Sequence, residues 1–464
     1  MSVVVVIAAL CFLMFMAYRG FSVILFAPVA ALGAVLLTEP GALLPVYTGL
    51  FQEKMVIFTK LYFPAFMLGA IFGKLVEVSG FARSISSVIV KLCGRDQVVY
   101  AIALIGLVLT YGGVSMFVTV FAVYPFAAEM YRQSDIPKRL IPAAIVVGAF
   151  TISMDSLPGS PQIQNVIPTA FFGTTTWAAP FLGLIGSVFT GTLCFLFLGW
   201  RVRQARRAGE GYGTGHLNEP ETSDDVPLSH PLIAASPLLL VVILNALFSL
   251  WLIPEWFGTT STVVLSAEAP KIVQEVSKMN ALWSLEGSLV ISIIYLCIVA
   301  RKAILPRFSE ATKTAVAGSL LAIMNTSSEY GFGSVIAALP GFMVVKGALN
   351  VVPYPPLNEA ISVNVLAGIT GSASGGMSIA LAALGDQYIA GANALGIPLE
   401  VMARIASMAS GGMDTLPHNG AIITLLAITG LTHRQSYRDI FVITVTKTVG
   451  AFFAVLVFYL TGIV

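Results

Sequence analysis

The chain has 464 residues, 57% of them hydrophobic and 10% charged, with a formal net charge of +2 and a mean hydropathy of +0.89. So few polar groups cannot coat a water-soluble globule, which leaves a lipid-embedded protein as the class that fits. The net charge decides nothing by itself, but the placement of the basic residues does.

Apolar runs of about the length of a bilayer core recur from end to end, at residues 3–17, 21–37, 177–198 and 441–464. The first lacks a positive leader and a small-residue cleavage site, so it is expected to remain as a helix. Cys11, Cys93, Cys194 and Cys297 show no paired spacing, and neither disulfides nor a metal site is expected.

After the opening spans, residues 98–110 and 116–128 form two short apolar arms around Tyr111, Gly112, Gly113, Val114 and Ser115. Neither arm is long enough to cross, which predicts a re-entrant hairpin over about residues 98–131. The next apolar stretch, about 137–173, is interrupted by Ser153, Met154, Asp155, Ser156, Leu157, Pro158, Gly159, Ser160 and Pro161, a pattern that breaks a helix. A polar segment follows the span after it. Headed by Arg201, Arg203, Arg206 and Arg207 and then Gly-rich and acidic, it is expected to give a cytoplasmic linker over 206–230.

The second half repeats this order. A hairpin is expected over about 358–390 around Thr370, Gly371, Ser372, Ala373 and Ser374, and a broken helix over about 397–431 around Asp414, Thr415, Leu416, Pro417, His418 and Asn419. Met154 to Pro158 matches Met413 to Pro417 at an offset of 259; Gly112 and Ser115 match Gly371 and Ser374 at the same offset, and Phe72 and Gly73 match Phe332 and Gly333 at 260. An internal repeat follows, residues 1–205 against 231–464. Each half holds five crossings plus a hairpin, and the odd count inverts the second half relative to the first. The expected fold is therefore an all-α polytopic membrane protein of two inverted repeats. Starting outside, this topology puts 17 basic residues inside and five (Lys54, Lys271, Lys278, Lys346 and Arg404) outside, as the positive-inside rule requires, with both termini periplasmic.

Irregular backbone at membrane depth survives only where protein or a watery cavity satisfies it, and half-helix N-termini there favour anions. Two breaks facing two hairpin tips would make a polar chamber. Asp155 and Asp414 either bind a cation or proton there or brace their own loops by capping amides. His418 is a cationic donor or proton carrier, or a structural hydrogen-bond partner. Ser156, Ser160, Gln162, Asn165, Thr415 and Asn419 add neutral donors suited to carboxylate and hydroxyl oxygens. Glu329, within Asn325 to Gly333 in the middle of an apolar run, is the preferred proton carrier, against a packing role; its counterpart in the first half is near Gly69.

Asp155 to Gly159, Gln162 to Pro168 and Thr370 to Ala373 together resemble the gluconate permease (GntP) family of the ion transporter superfamily, and the Leu-Pro-Gly then Gln-Asn-x-Ile-Pro run is most similar to its short hydroxy acid branch. The resemblance covers essentially the whole chain. It implies proton-coupled uptake of a small organic acid such as 3-hydroxybutyrate or a gluconate-like acid, a homodimer held by a scaffold domain, and an elevator-like movement of hairpins and broken helices. The Ser-Asn-Thr tip signatures of the sodium-coupled dicarboxylate branch are absent, which makes sodium the lesser alternative. Ser374, Gly375 and Gly376 stand where gluconate-type members have bulkier residues. An intramembrane aspartyl protease and a channel are the rival classes; the protease lacks its Tyr-Asp and Gly-x-Gly-Asp signatures, and paired breaks favour alternating access over a channel. The expectation is a symporter in a bacterial-type inner membrane, not an enzyme, with no cofactor, metal or nucleic-acid partner.

Overall fold

A computed structural model describes residues 2–19, 21–94, 97–219, 229–266, 271–342, 344, 352–417 and 419–464. The chain opens with α1 (Ser2–Tyr18) and α2 (Val23–Thr38), then the long α3 (Glu53–Val78), the last part of a helical segment that starts at Pro40. A short amphipathic α4 (Phe81–Cys93) leads to α5 (Val98–Tyr111) and α6 (Met116–Gln133). Then come α7 (Ile141–Ala149), α8 (Ile163–Phe172) and α9 (Pro180–Arg207). The second half runs through α10 (Pro231–Leu247), α11 (Val276–Val299), α12 (Phe308–Ala338), α13 (Pro355–Thr370), α14 (Ala373–Ala394), α15 (Leu399–Ser410), α16 (Gly420–Thr429) and α17 (His433–Thr461).

Among the described residues five helical segments are long and apolar enough to cross a bilayer: Pro40–Val78, Pro180–Arg207, Pro231–Phe257, Val276–Val299 and His433–Thr461. Their outward faces carry exposed Leu184, Val188, Leu239, Ile243, Ile294 and Val445, which only a lipid solvent tolerates in such number. The protein is thus an all-α, polytopic membrane protein.

Local chemistry explains where helices begin and end. Pro180, Pro231 and Pro355 occupy first-turn positions where a missing N–H costs nothing. Ser115, Ser372 and Asn419 cap α6, α14 and α16 by accepting from backbone amides of the first turn. Thr432 and Gln435 form a reciprocal capping box on α17.

Two features differ from the sequence expectation. The arginines at 201–207 continue α9 instead of opening a linker, and residues 208–219 fold back as a strap: Arg139 forks onto Glu210 at 2.6 Å through both Nε and Nη2, and Lys138 donates to Glu219 at 2.7 Å. A two-stranded antiparallel ribbon, β1 (Thr260–Val263) with β2 (Ile272–Glu275), joins α10 to α11; its β-branched run is a strand signal that a helical reading passes over.

The layers that hold the site are close-packed. Gly148 of α7 lets its backbone approach α5 so nearly that a Cβ there would stand 2.1 Å from the Ala103 carbonyl oxygen. This is the small-residue contact by which helices associate where lipid gives no hydrophobic drive. α12 lies along α3, joined by the Thr59 and Ser327 hydroxyls at 2.8 Å, and α9 lies along α17 with Phe189 stacked on Phe453.

Candidate functional site

The first break begins at Phe150, where α7 ends, includes one turn over Ile152–Asp155, and runs as a loop to Gln162 at the head of α8. The second runs from Gly411 to Asn419, between α15 and α16. His418 lies outside the described residues.

Each break is latched to a hairpin tip by one amide side chain. Gln162 donates from Nε2 to the carbonyls of Thr110 at 2.7 Å and Val114 at 3.3 Å, at the turn between α5 and α6, and the Tyr111 hydroxyl donates back to the Pro158 carbonyl at 2.8 Å. Asn419 donates from Nδ2 to the Gly371 carbonyl at 2.7 Å, at the turn between α13 and α14, while its oxygen accepts from the amides of Ala421 and Ile422. Gly113 faces Phe72 and Pro161, whereas Gly112 lies against Leu238 of α10 and not toward the breaks.

The two breaks are also bound to each other. Ser407 of α15 donates to the Asp155 carbonyl at 2.7 Å, and a Cβ on Gly411 would stand 1.7 Å from Asp155 Oδ2, so the second loop lies directly on the first carboxylate. Arg404 is 1% exposed. Its Nε, Nη1 and Nη2 donate to the carbonyls of Ser156, Thr176 and Ala178 and to Asn165 Oδ1, at 2.8 to 3.3 Å. Carbonyls of the first break and of the loop that leads into α9 thus find a planar cation with donors on three nitrogens. The sequence reading used Arg404 only as one of the basic residues on the outer side of the membrane and did not foresee that its side chain is buried in the protein.

Lys447 of α17 is the second group that the sequence reading missed. Its ammonium is 2.7 Å from Asp414 Oδ1, with both side chains 3% exposed, and it also donates to the Phe150 carbonyl of the first break. A lone lysine in an apolar span is a signal in itself, because a buried charge needs a partner. Asp155 accepts from Ser156 Oγ at 2.5 Å, and the fields of Lys447, Arg404 and Asp414 reach it. Two carboxyls and two cationic side chains are thus buried together here.

Of the remaining sequence candidates, Ser160 donates to the Ser153 carbonyl, Asn165 gives its amide hydrogens to the Ser160 and Thr176 carbonyls, and Thr415 shares a 2.7 Å hydroxyl contact with Thr444. These groups brace the breaks in this conformation. Thr370 donates to the Leu366 carbonyl of its own helix. Tyr111, Ser115, Gln162, Ser372 and Ser374 are half-buried, so polar atoms at both tips border accessible space. Four helix N-termini, those of α6, α8, α14 and α16, start at these tips and breaks.

Glu329 of α12 is 3% exposed and sits against the second tip, interacting with Ser372, its Oε2 only 1.7 Å from where a Cβ on Gly375 would be. Neighbouring Thr326 meets Ser374 at 3.4 Å. The polar run in α12 therefore faces the cap of α14.

Two cavities lie away from the breaks. One of about 430 Å³, open to the surface, is lined by Phe248, Trp256, Phe257, Trp283 and the ribbon, and one of about 130 Å³ lies between Phe58, Tyr62, Phe171 and Tyr330. Both are apolar in lining and neither contains the residues that latch the tips.

Residues 64–245 match the family model described as GntP family permease. The chain is 51% identical, over its whole length and the whole of the relative, to the uncharacterized transporter YxjC of Bacillus subtilis (strain 168). The crystal structure of the Alcanivorax borkumensis YdaH transporter aligns over 92% of this chain and 90% of that one, with a TM-score of 0.56 at 18% identity, a likeness of fold alone. The chain therefore belongs to the GntP family of permeases and is a multi-pass membrane transporter, not an enzyme.

Proposed function

We propose that this permease imports a small hydroxy monocarboxylate, such as 3-hydroxybutyrate or a gluconate-like acid, together with a proton, across the inner membrane. The reading has two inverted repeats, periplasmic termini, a homodimer held by a scaffold, and an elevator-type movement of the hairpins with their broken helices. The observation that carries it is the meeting of four helix N-termini at two interlocked breaks, where buried carboxyls and cationic side chains lie together. Helix N-termini favour an anion without a fixed positive charge. A bound carboxylate adds one negative charge, and carrying it into a negative interior costs about 2.3 kcal/mol per 100 mV. A proton taken up by Glu329, which has no cation in reach among the described residues, would travel with the anion, so that the loaded carrier moves with the same charge as the empty carrier whose Glu329 is ionised.

The half-buried Ser115, Gln162, Ser372 and Ser374 are the side chains assigned to the substrate's carboxylate and hydroxyl, with Tyr111 beside them. Reconstituted in proteoliposomes, the protein should take up a short hydroxy acid faster on external acidification, with little response to sodium replacement. Glu329→Gln should lose the acid stimulation while keeping substrate exchange. Full proton-driven accumulation in that variant would place coupling elsewhere, and a strict sodium requirement would overturn the proton assignment.

A further inference from the structure

The second hairpin holds another buried acid, which the coupling scheme above leaves idle. Glu359, on the first turns of α13, is 0% exposed, and neither of its carboxyl oxygens has a hydrogen-bond partner among the described residues. An ionised carboxylate removed from water without donors or a cation is among the most costly groups to bury, so it persists there only neutral or with a bound cation.

The helices packed on α13 are α14, α15, α17 and α1, and none brings a cation to it. From α14, Tyr388 faces it, with its hydroxyl beside Ser362, while Asp386 is exposed. From α15, Arg404 is committed to the first break and Glu400 is exposed. From α17, Lys447 is paired with Asp414, Asp439 with Arg139 and Arg201, and Tyr437 with the Thr415 carbonyl, while Arg434 and Arg438 are exposed. The described side chains of α1 offer only the exposed Cys11. A hard metal ion asks for about six oxygen ligands. Here the oxygens are the Tyr388 and Ser362 hydroxyls, and Ser362 already donates to the Asn358 carbonyl at 2.8 Å. A proton is the occupant that this pocket fits.

We propose that Glu359 is a proton-binding site, a neutral carboxylic acid inside the second hairpin whose proton exchanges as the hairpin moves and counts toward coupling. The coupling role rests on the transport reading above; the protonation does not. Infrared difference spectra of the purified full-length protein at neutral pH, wild type minus Glu359→Gln, should contain a carboxylic-acid carbonyl band that shifts in heavy water. That band should survive in Glu329→Gln. In proteoliposomes the ratio of protons to substrate taken up should fall in Glu359→Gln. Identical carbonyl bands in wild type and Glu359→Gln would overturn the site, and a lost band with an unchanged ratio would overturn its part in coupling. Absence of proton-linked uptake in the wild type would sink the transport reading while leaving the infrared test decisive for Glu359.

Discussion

The two hairpins occupy matching places in the repeated sequence yet carry different chemistry. The first has a neutral tip, held by Tyr111 and by the Gln162 amide. The second has Glu329 against its tip and Glu359 inside its arms, at positions whose counterparts in the first half are Gly69 and Tyr100. The same one-sidedness holds for the cations: Arg404 and Lys447 correspond to Ile145 and Val188 at the offset of 259. The repeat therefore duplicates backbone features, namely breaks, tips and caps, whereas these four ionisable groups were placed once.

The largest effect should come from the cation that joins the halves. Arg404→Ala would leave the carbonyls of Ser156 and Ala178 and the Asn165 oxygen without their donor in a dry interior. Each orphaned acceptor costs about 1–3 kcal/mol, so a loss of at least about 3 kcal/mol is expected even after relaxation. Arg404→Lys should recover only part of it, since an ammonium cannot reproduce the planar fork. Thermal unfolding in detergent reads this directly. An Arg404→Ala midpoint equal to wild type would mean that the breaks support themselves.

A comparable effect, and a sharper one, separates the two aspartates. Lys447→Met strands Asp414 in a buried site, a change that typically costs about 3–5 kcal/mol, and Asp414→Asn strands the lysine. The double variant should cost much less than the sum, because both charges leave together. Asp155→Asn should cost less than Asp414→Asn, since Asp155 is bonded through a neutral Ser156 hydroxyl and not through an ion pair. Additive costs for Lys447 and Asp414, or equal costs for the two aspartates, would remove the asymmetry at the breaks.

Much of the fold was legible because breaks and tips are made of residues that apolar helices avoid. Pro158, Pro161, Pro417 and the glycines of both tips stand out in any hydropathy reading, and the hairpin arms came out within a few residues of α5, α6, α13 and α14. What the sequence hid is partnership. Asn165 carries the donors of a substrate ligand, yet its amide hydrogens go to two nearby carbonyls and its oxygen to Arg404, on a helix more than two hundred residues away. Lys447 and Glu359 were passed over because the runs around them read as ordinary span and arm; the rule that an ionisable group inside a span demands an explanation would have marked both. The ordered strap was hidden for another reason, since a Gly-rich acidic stretch reads as a free linker until the basic residues that bind it are brought near.

That strap gives the smallest expected effect. Arg139 holds the Glu210 carboxyl below its usual range, chiefly through their paired hydrogen bonds, and also reaches Asp439 of α17 at 3.0 Å, so this arginine, just before α7, joins the strap to the last helix. A carboxyl held low in the folded protein contributes stability that is present above its unfolded value, about 4.3, and is lost as the pH falls through the folded value. Both partners are partly exposed, so solvent screening keeps the contribution to about 1 kcal/mol or less. Glu210→Gln should therefore melt slightly below wild type at pH 7, with the gap closing as the pH is lowered below 4 and narrowing in high salt. A gap that persisted unchanged in acid would show that Glu210 acts through the shape of the strap and not through its charge, and the contrast between a one-sided buried core and a screened ion pair at its edge would then have to be redrawn.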